Sequence, residues 1–247
     1  VTDLAVYRFK TTTMQRLQQY AGRGYVLYTS GRVHYSKALA LCTKFQTLYT
    51  YQLNQNQRAY CLKKGRCCTQ FFMYPEKDSP YFLWWLLSTK GTGVIHEKEQ
   101  LKGVFEPKTR LQWSDDYELV MVNKEAKSTP TVTWRMTKKT VESWHYRIRK
   151  SIRSNNIEVV QQTLWSLNRS PGFSEIRQQV KALRFAIQKE WARSKNKSEE
   201  LPAFKKTISY VRSPDTTQYY VSHIARRLAL GVCPFPKKSS PALIVTP

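Results

Sequence analysis

Between Ser174 and Lys195 apolar residues recur with the period of a helix. Ile176, Val180, Leu183 and Ile187 stand four, three and four apart, which makes one buried face of a long helix. A second helical pattern covers "TKKTVESWHYRIRKSIRSN", with Val141, His145 (or Trp144), Ile148 and Ile152 inward. "NIEVVQQTLWSLNRS" continues it until Pro171–Gly172 breaks the run. Near the start, Met14, Leu17 and Tyr20 mark a helix that Thr11 to Thr13 would cap and Gly22 and Gly24 would close. Leu39, Cys42, Phe45, Leu48 and Tyr49 mark another from Tyr35 to about Leu53, and "TTQYYVSHIARRLALG" a last one closed by Gly231.

Strand-like runs lie mostly between the early helices and the long one. "YVLYTSGRV", "CCTQFFMYP" and the very apolar "PYFLWWLLSTKGTG" are rich in aromatic and branched residues, the last being long enough for a buried strand or a short helix. "RLQWSDDYELVMVN" and "TVTWRMT" read as a hairpin joined by "KEAKSTP", and "TISYVRS" as a short strand. "NQNQRAYCLKKGR" reads as a basic, turn-like hinge, and the tail, with four prolines, as irregular. No internal repeat is visible. These elements predict an α+β chain: a strand-containing part over residues 1–137, a basic helical part over 138–200, and a C-terminal strand, helix and tail over 201–247. The last strand and helix are free to rejoin the sheet.

Composition changes this picture in one direction. The chain has 247 residues, 41 Lys and Arg against 17 Asp and Glu, and a formal net charge of +24. With 41% hydrophobic and 13% aromatic residues it is no disordered basic tail, so the charge belongs to a folded body. Such a body repels itself unless a polyanion screens it, and nucleic acid is the commonest one. Interleaved Tyr and Trp add surfaces on which bases stack. A membrane partner is not expected, since no apolar run approaches the roughly 18–20 residues of a spanning helix. Five cysteines and no apolar signal segment at the start point to a reducing, cytoplasmic setting. "CLKKGRCC" lacks the second pair of closely spaced ligands that structural zinc needs, although His34 or His96 could complete a site. Thiols beside a basic turn are the expectation, with no metal and no cofactor.

The charges have a pattern of their own. Arg177, Lys181 and Arg184 repeat the spacing of the apolar stripe one residue later, about 100° around the helix, with Arg193 and Lys195 near its end. Such a rail suits a phosphate backbone and is expected to serve binding rather than folding. Arg147, Arg149, Lys150 and Arg153 extend it on the preceding helix, and Arg226, Arg227, Lys237 and Lys238 near the C-terminus. Enzyme signatures are few: there is no GxxxxGK[ST], GxGxxG or HExxH. Asp115, Asp116 and Glu118 could bind Mg²⁺, but they sit between two strands like a turn. Metal-free cleavage of RNA asks for less, since the 2′-hydroxyl is the nucleophile and a His and an Arg or Lys suffice. In "SGRVHYSKALALC" His34 and Tyr35 open a helix, Arg32 precedes them, and Lys37 follows one turn on; Arg23 stands in the Gly-flanked turn before the strand.

A strand followed by a helix with a His near its start resembles the repeat-cleaving endoribonucleases of CRISPR systems, in the RRM-like superfamily. The resemblance spans residues 20–137, and the basic helices beyond are similar to the insertions of type IV processing enzymes. It implies an RRM-like sheet, metal-independent hairpin cleavage in CRISPR RNA processing, a ribonucleoprotein setting, and His34, Arg32, Arg23 and Lys37 as catalytic residues. The superfamily's C-terminal glycine-rich loop has no counterpart, Gly231 being the only glycine after Gly172. The sequence thus predicts a protein that binds structured RNA, with cleavage as a further step. The alternative is a non-enzymatic DNA-binding accessory protein of a plasmid or integrated mobile element, acting in mobilisation, replication or regulation. A structural protein of a ribonucleoprotein particle would explain the charge but not the aromatic core.

Overall fold

Side-chain alternation along three apolar strands organises the first part of the molecule. In β3 (Thr69–Pro75), Phe71 and Met73 face one side while Phe72 faces the other, and β4 (Tyr81–Ser88) and β2 (Leu27–His34) continue the alternation across the sheet. The computed structural model describes residues 3–123, 130–194, 200–203, 207–211 and 215–236. The fold is α+β, in two compact units: Val1–Leu111 with Pro214–Pro247, and Gln112–Ser213. The hairpin expected in the strand-containing part therefore clusters with the helices, and the division falls near residue 111 rather than 137.

In the first unit the sheet order is β3-β4-β2-β5, where β5 is Lys102–Gly103, and every neighbouring pair is antiparallel. Helix α2 (Tyr35–Tyr49) leaves β2 directly and buries Ala38, Cys42, Phe45 and Tyr49. Phe45 meets Phe71 and Trp84 edge-on, so α2 covers that face. Helix α1 (Lys10–Gly22) lies on the other, where Tyr20 meets Phe72. Its N-cap is Phe9 with no side-chain bond, and Thr12 and Thr13, expected as caps, are buried. A two-stranded ribbon, β1 (Ala5–Tyr7) with β9 (Gln218–Tyr220), and helix α8 (Val221–Ala229) complete the unit. Val221 and Ile224 join the core of α2, so the last helix returns to this unit, while β9 pairs with β1 and not with the main sheet.

The expected hinge "NQNQRAYCLKKGR" is helix α3 (Gln55–Lys63). Asn54 and Gln57 form a reciprocal capping box, each side chain bonding the other's backbone N–H at 2.9 Å. The short helix α4 (Val94–Lys98) connects β4 to β5.

The second unit is a three-stranded sheet, β6 (Gln112–Trp113), β7 (Tyr117–Val122) and β8 (Thr131–Met136), with helices α5 (Lys138–Arg153), α6 (Ile157–Asn168) and α7 (Ser174–Ser194). Gln179 of α7 pairs with both backbone groups of Met136, at 2.7 and 3.0 Å, and so stands in for a missing strand at the edge of β8. Ile176, Val180, Leu183 and Ile187 are all buried, as the stripe predicts. On α5 Ile148 and Ile152 are buried, whereas His145 faces solvent. "TISYVRS" gives no strand over residues 207–211; its backbone crosses Gly172 so closely that a β-carbon there would collide with the Ser209 carbonyl. The connector 124–129, Lys195, and the tail with Lys237 and Lys238 lie outside the described residues. Among the described residues no helix is long and apolar enough to cross a membrane.

Candidate nucleic-acid interface

The junction of β2 and α2 is built without a loop. His34 is both the last residue of the strand and the N-cap of the helix, and its Nδ1 lies 2.9 Å from Ser36 Oγ and accepts from the Ser36 N–H at 3.4 Å. That arrangement fixes the ring with Nε2 directed away from the cap. Tyr81, paired with His34 across β4, meets it edge-on at 5.5 Å. Arg32, two residues earlier on the same face, lies 4.8 Å from the Tyr81 ring and is ion-paired to Glu76. Its charge is therefore partly compensated. Lys37 is exposed one turn into α2.

Arg23 does not join this group. It is the C-cap of α1, before Leu27, and the length of β2 separates it from His34 by about 23 Å. The structure brings together three of the four expected catalytic residues and places the fourth at the opposite end of the sheet.

In the helical unit the cations divide into two kinds. On α5, Lys139, Arg149, Lys150 and Arg153 surround Tyr146 on the outward face, and the Tyr146 ring is 60% exposed. Arg147 lies 4.4 Å above the ring of Trp144. Arg153 is tied at 2.8 Å to Glu190 of α7, which also takes Arg193. Those hydrogen bonds, Arg193 first, pull the Glu190 carboxyl down to about 2.

The rail on α7 differs from its expected form. Lys181 is exposed. Arg184 is buried, 7% exposed, and donates at 2.5 Å to Asn168 of α6; burial lowers its guanidinium from the ordinary value. Arg177 donates at 2.7 Å to the Ile208 carbonyl and lies 3.4 Å from the Tyr210 ring centre. Arg177, Lys181 and Arg184 still line one pocket of about 320 Å³ with Ser174, Thr207 and Tyr210, and among the described residues no carboxylate lines it. In the other unit, Arg226 of α8 is exposed and Arg227 donates at 2.7 Å to the Cys233 carbonyl.

The sequence reading missed a set of cation–aromatic pairs. Besides Arg147 on Trp144, Arg169 lies 4.4 Å from the ring of Trp165, which is 59% exposed, and Lys189 lies 4.8 Å from the exposed Phe185. All three are spaced i,i+3 or i,i+4 on helices, so that spacing was the available signal.

Asp115 and Asp116 lie in the turn from β6 to β7, while Glu118 is bound by Arg135 across the strand pair at 2.6 Å. Their side chains therefore do not converge. Cys61, Cys67 and Cys68 are free, and burial raises Cys68 to about 11 and Cys67 in the same direction. No group of three or more His, Cys, Asp or Glu among the described residues is placed to hold a metal ion.

Comparison of the chain with protein-family models, curated proteins and solved structures found no match.

Proposed function

We propose that this protein binds nucleic acid, with structured RNA preferred, and that the helical unit is its main grip. The exposed cation–aromatic pairs carry the reading. Water does not reward leaving Trp165, Phe185 and Tyr146 on a surface, whereas an unpaired base stacks on such rings and its phosphate meets the adjacent cation. RNA hairpins offer splayed bases beside a dense phosphate backbone, and duplex DNA does not. A DNA-binding accessory protein would use the same cations and leave the rings idle.

Cleavage is a second reading, supported by one feature. The capped Nδ1 of His34 leaves Nε2 to move a proton, with Lys37 one turn away to meet a phosphate. The strand order β3-β4-β2-β5, with α2 and α4 as the connecting helices, supports the resemblance to the RRM-like CRISPR enzymes on which this reading draws. Arg32, compensated by Glu76, is the weaker of the two cations.

The test is binding of hairpin RNA, single-stranded RNA and duplex DNA at fixed salt, with product analysis in EDTA. Hairpin RNA should bind tightest, losing about a hundredfold or more in affinity between roughly 50 and 200 mM salt if six or more phosphates are contacted. A flat salt response or a preference for duplex DNA overturns the proposal. If hairpin is cut, the product carries a 2′,3′-cyclic phosphate and His34→Ala slows the reaction by about a hundredfold. Hairpin bound but uncut, with and without Mg²⁺, removes the second reading alone.

A further inference from the structure

Helix α3 has no buried residue. Nine residues are too few to hold a helix in water by themselves, so its attachments matter. They are the capping box, a 3.3 Å bond from Arg58 to the Tyr20 hydroxyl, and the Cys68 thiol 3.6 Å from the Arg58 carbonyl. The outward side presents Tyr60, 59% exposed, and Leu62, and Lys64 lies 5.9 Å from the Tyr60 ring.

The turn that follows, "KKGR", is held with equal care. Thr92 N–H donates to the Gly65 carbonyl and Cys67 N–H to the Thr92 carbonyl, both at 2.9 Å. Gly91, at φ +131°, lets the two loops close, since a β-carbon there would stand 2.8 Å from the Cys67 nitrogen and the Gly65 oxygen. Lys63, Lys64, Arg66 and Lys90 are thereby fixed on one exposed end of the sheet, and Arg23 belongs to the same end through the α1 turn that carries Tyr20. Between Asn54 and Gly93 the chain has two acidic residues, Glu76 and Asp78, and both lie at the opposite end, in the β3–β4 turn.

We propose that this end of the first unit, with Tyr60 as stacking platform and Lys63, Lys64, Arg66 and Lys90 as phosphate contacts, binds a single-stranded nucleic-acid segment, such as the strand that flanks a hairpin. The inference rests on the nucleic-acid reading above and adds a separate site. An apolar protein partner would be opposed by the charge around Tyr60 and Leu62, since none of Lys63, Lys64, Arg66 and Lys90 forms an ion pair among the described residues. A base that stacks on Tyr60 brings its own neutralising phosphate. Duplexes keep their bases paired and cannot use the ring.

The test uses the full chain and two RNA probes, one hairpin with a single-stranded flank and the same hairpin blunt. Tyr60→Ala should weaken the flanked probe at least about fivefold. Joint replacement of Lys63, Lys64 and Arg66 by Gln should weaken it more and lower its salt slope by about 2. The blunt probe should bind as before, and melting should not change, because no core side chain is touched. Unaltered binding of both probes to the variants overturns this site and leaves the nucleic-acid reading standing. Equal loss on both probes overturns the single-strand assignment. Failure of the unmodified protein to bind either probe ends both proposals. Binding to phosphatidylserine vesicles that the triple variant abolishes, without a change on RNA, assigns the surface to a membrane and overturns it as well.

Discussion

Helices α5 and α7 belong to the same unit, and both are strongly basic, yet their cations do different work. On α5 the charges other than Arg153, which Glu190 of α7 holds, stand around an exposed tyrosine or over a tryptophan, on a side that the other described residues leave exposed. On α7 the equivalent positions are drawn inward. Arg184 reaches Asn168 on α6, and Arg177 clasps the segment that crosses Gly172. The reason is the width of the buried face. Helix α5 buries one narrow strip, Ile148, Ser151 and Ile152, against α6 and α7, whereas α7 buries Ile176, Val180, Leu183, Arg184, Ile187 and Trp191 against β8 and α5. A wider contact arc takes in residues about 70° from the centre of the stripe, where Arg184 lies, and spares Lys181 at about 130°. Charge on a helix is thus available to a ligand only beyond the edge of its packing arc.

The largest effect that separates the two helices should come from Arg184→Ala. Its guanidinium is buried and its bond to Asn168 is charge-assisted, so the loss should be about 2–3 kcal/mol of stability. Urea unfolding measures it, and protein that remains folded should bind RNA with little change. A stable variant with lost affinity would return Arg184 to the ligand and erase the distinction between the helices. The joint replacement of Arg177, Lys181 and Arg184, attractive when the rail is read as a surface, would confuse folding with binding.

Next in size is the joint change of Arg147, Arg149 and Lys150 to Gln on α5. Each is exposed, so unfolding should stay where it was. Affinity for hairpin RNA should fall by roughly tenfold or more, with the salt slope lower by about 2 to 3. Unchanged affinity would mean that the outward face of α5 is only solvated.

The same contrast explains what could be read in advance. The period of Ile176, Val180, Leu183 and Ile187 located α7 to within a residue, because every one of those side chains is buried. The apolar run in "CCTQFFMYP" located β3, while "YFLWWLL", which is long enough for a buried strand or a short helix, is the strand β4. Helix α3 was invisible because it has no apolar stripe, and its only signal was Asn54 followed three residues later by Gln57. Arg32 and His34 stand close in the sequence and lie together at the end of β2, but nothing local indicates that Glu76, 44 residues away, takes the arginine. Arg23 was grouped with them because nearness in sequence is a poor guide across an extended strand.

The smallest expected effect is the most specific, since it runs opposite to an ordinary loss of contact. Glu190 binds Arg153 from α5 and Arg193 from its own helix, and so compensates two cations of the helical unit. Its carboxyl is held at about 2, below its unfolded value of 4.5, so the clamp stabilises the fold fully above pH 4.5 and is lost as pH falls towards 2. At neutral pH it is complete. Glu190→Gln keeps the shape and one acceptor, deletes the negative charge and releases the arginines. The two arginines are more than half exposed while the Glu190 carboxylate is only 11% exposed, so solvent screens the pair in part and a modest loss of stability should accompany the change. Affinity for hairpin RNA should rise about two- to fivefold, with a salt slope steeper by about 1, as one more phosphate is neutralised. An unchanged or weaker affinity would show that Arg153 and Arg193 point away from the bound strand, and would confine the grip of α5 to the side that carries Arg147, Arg149 and Lys150.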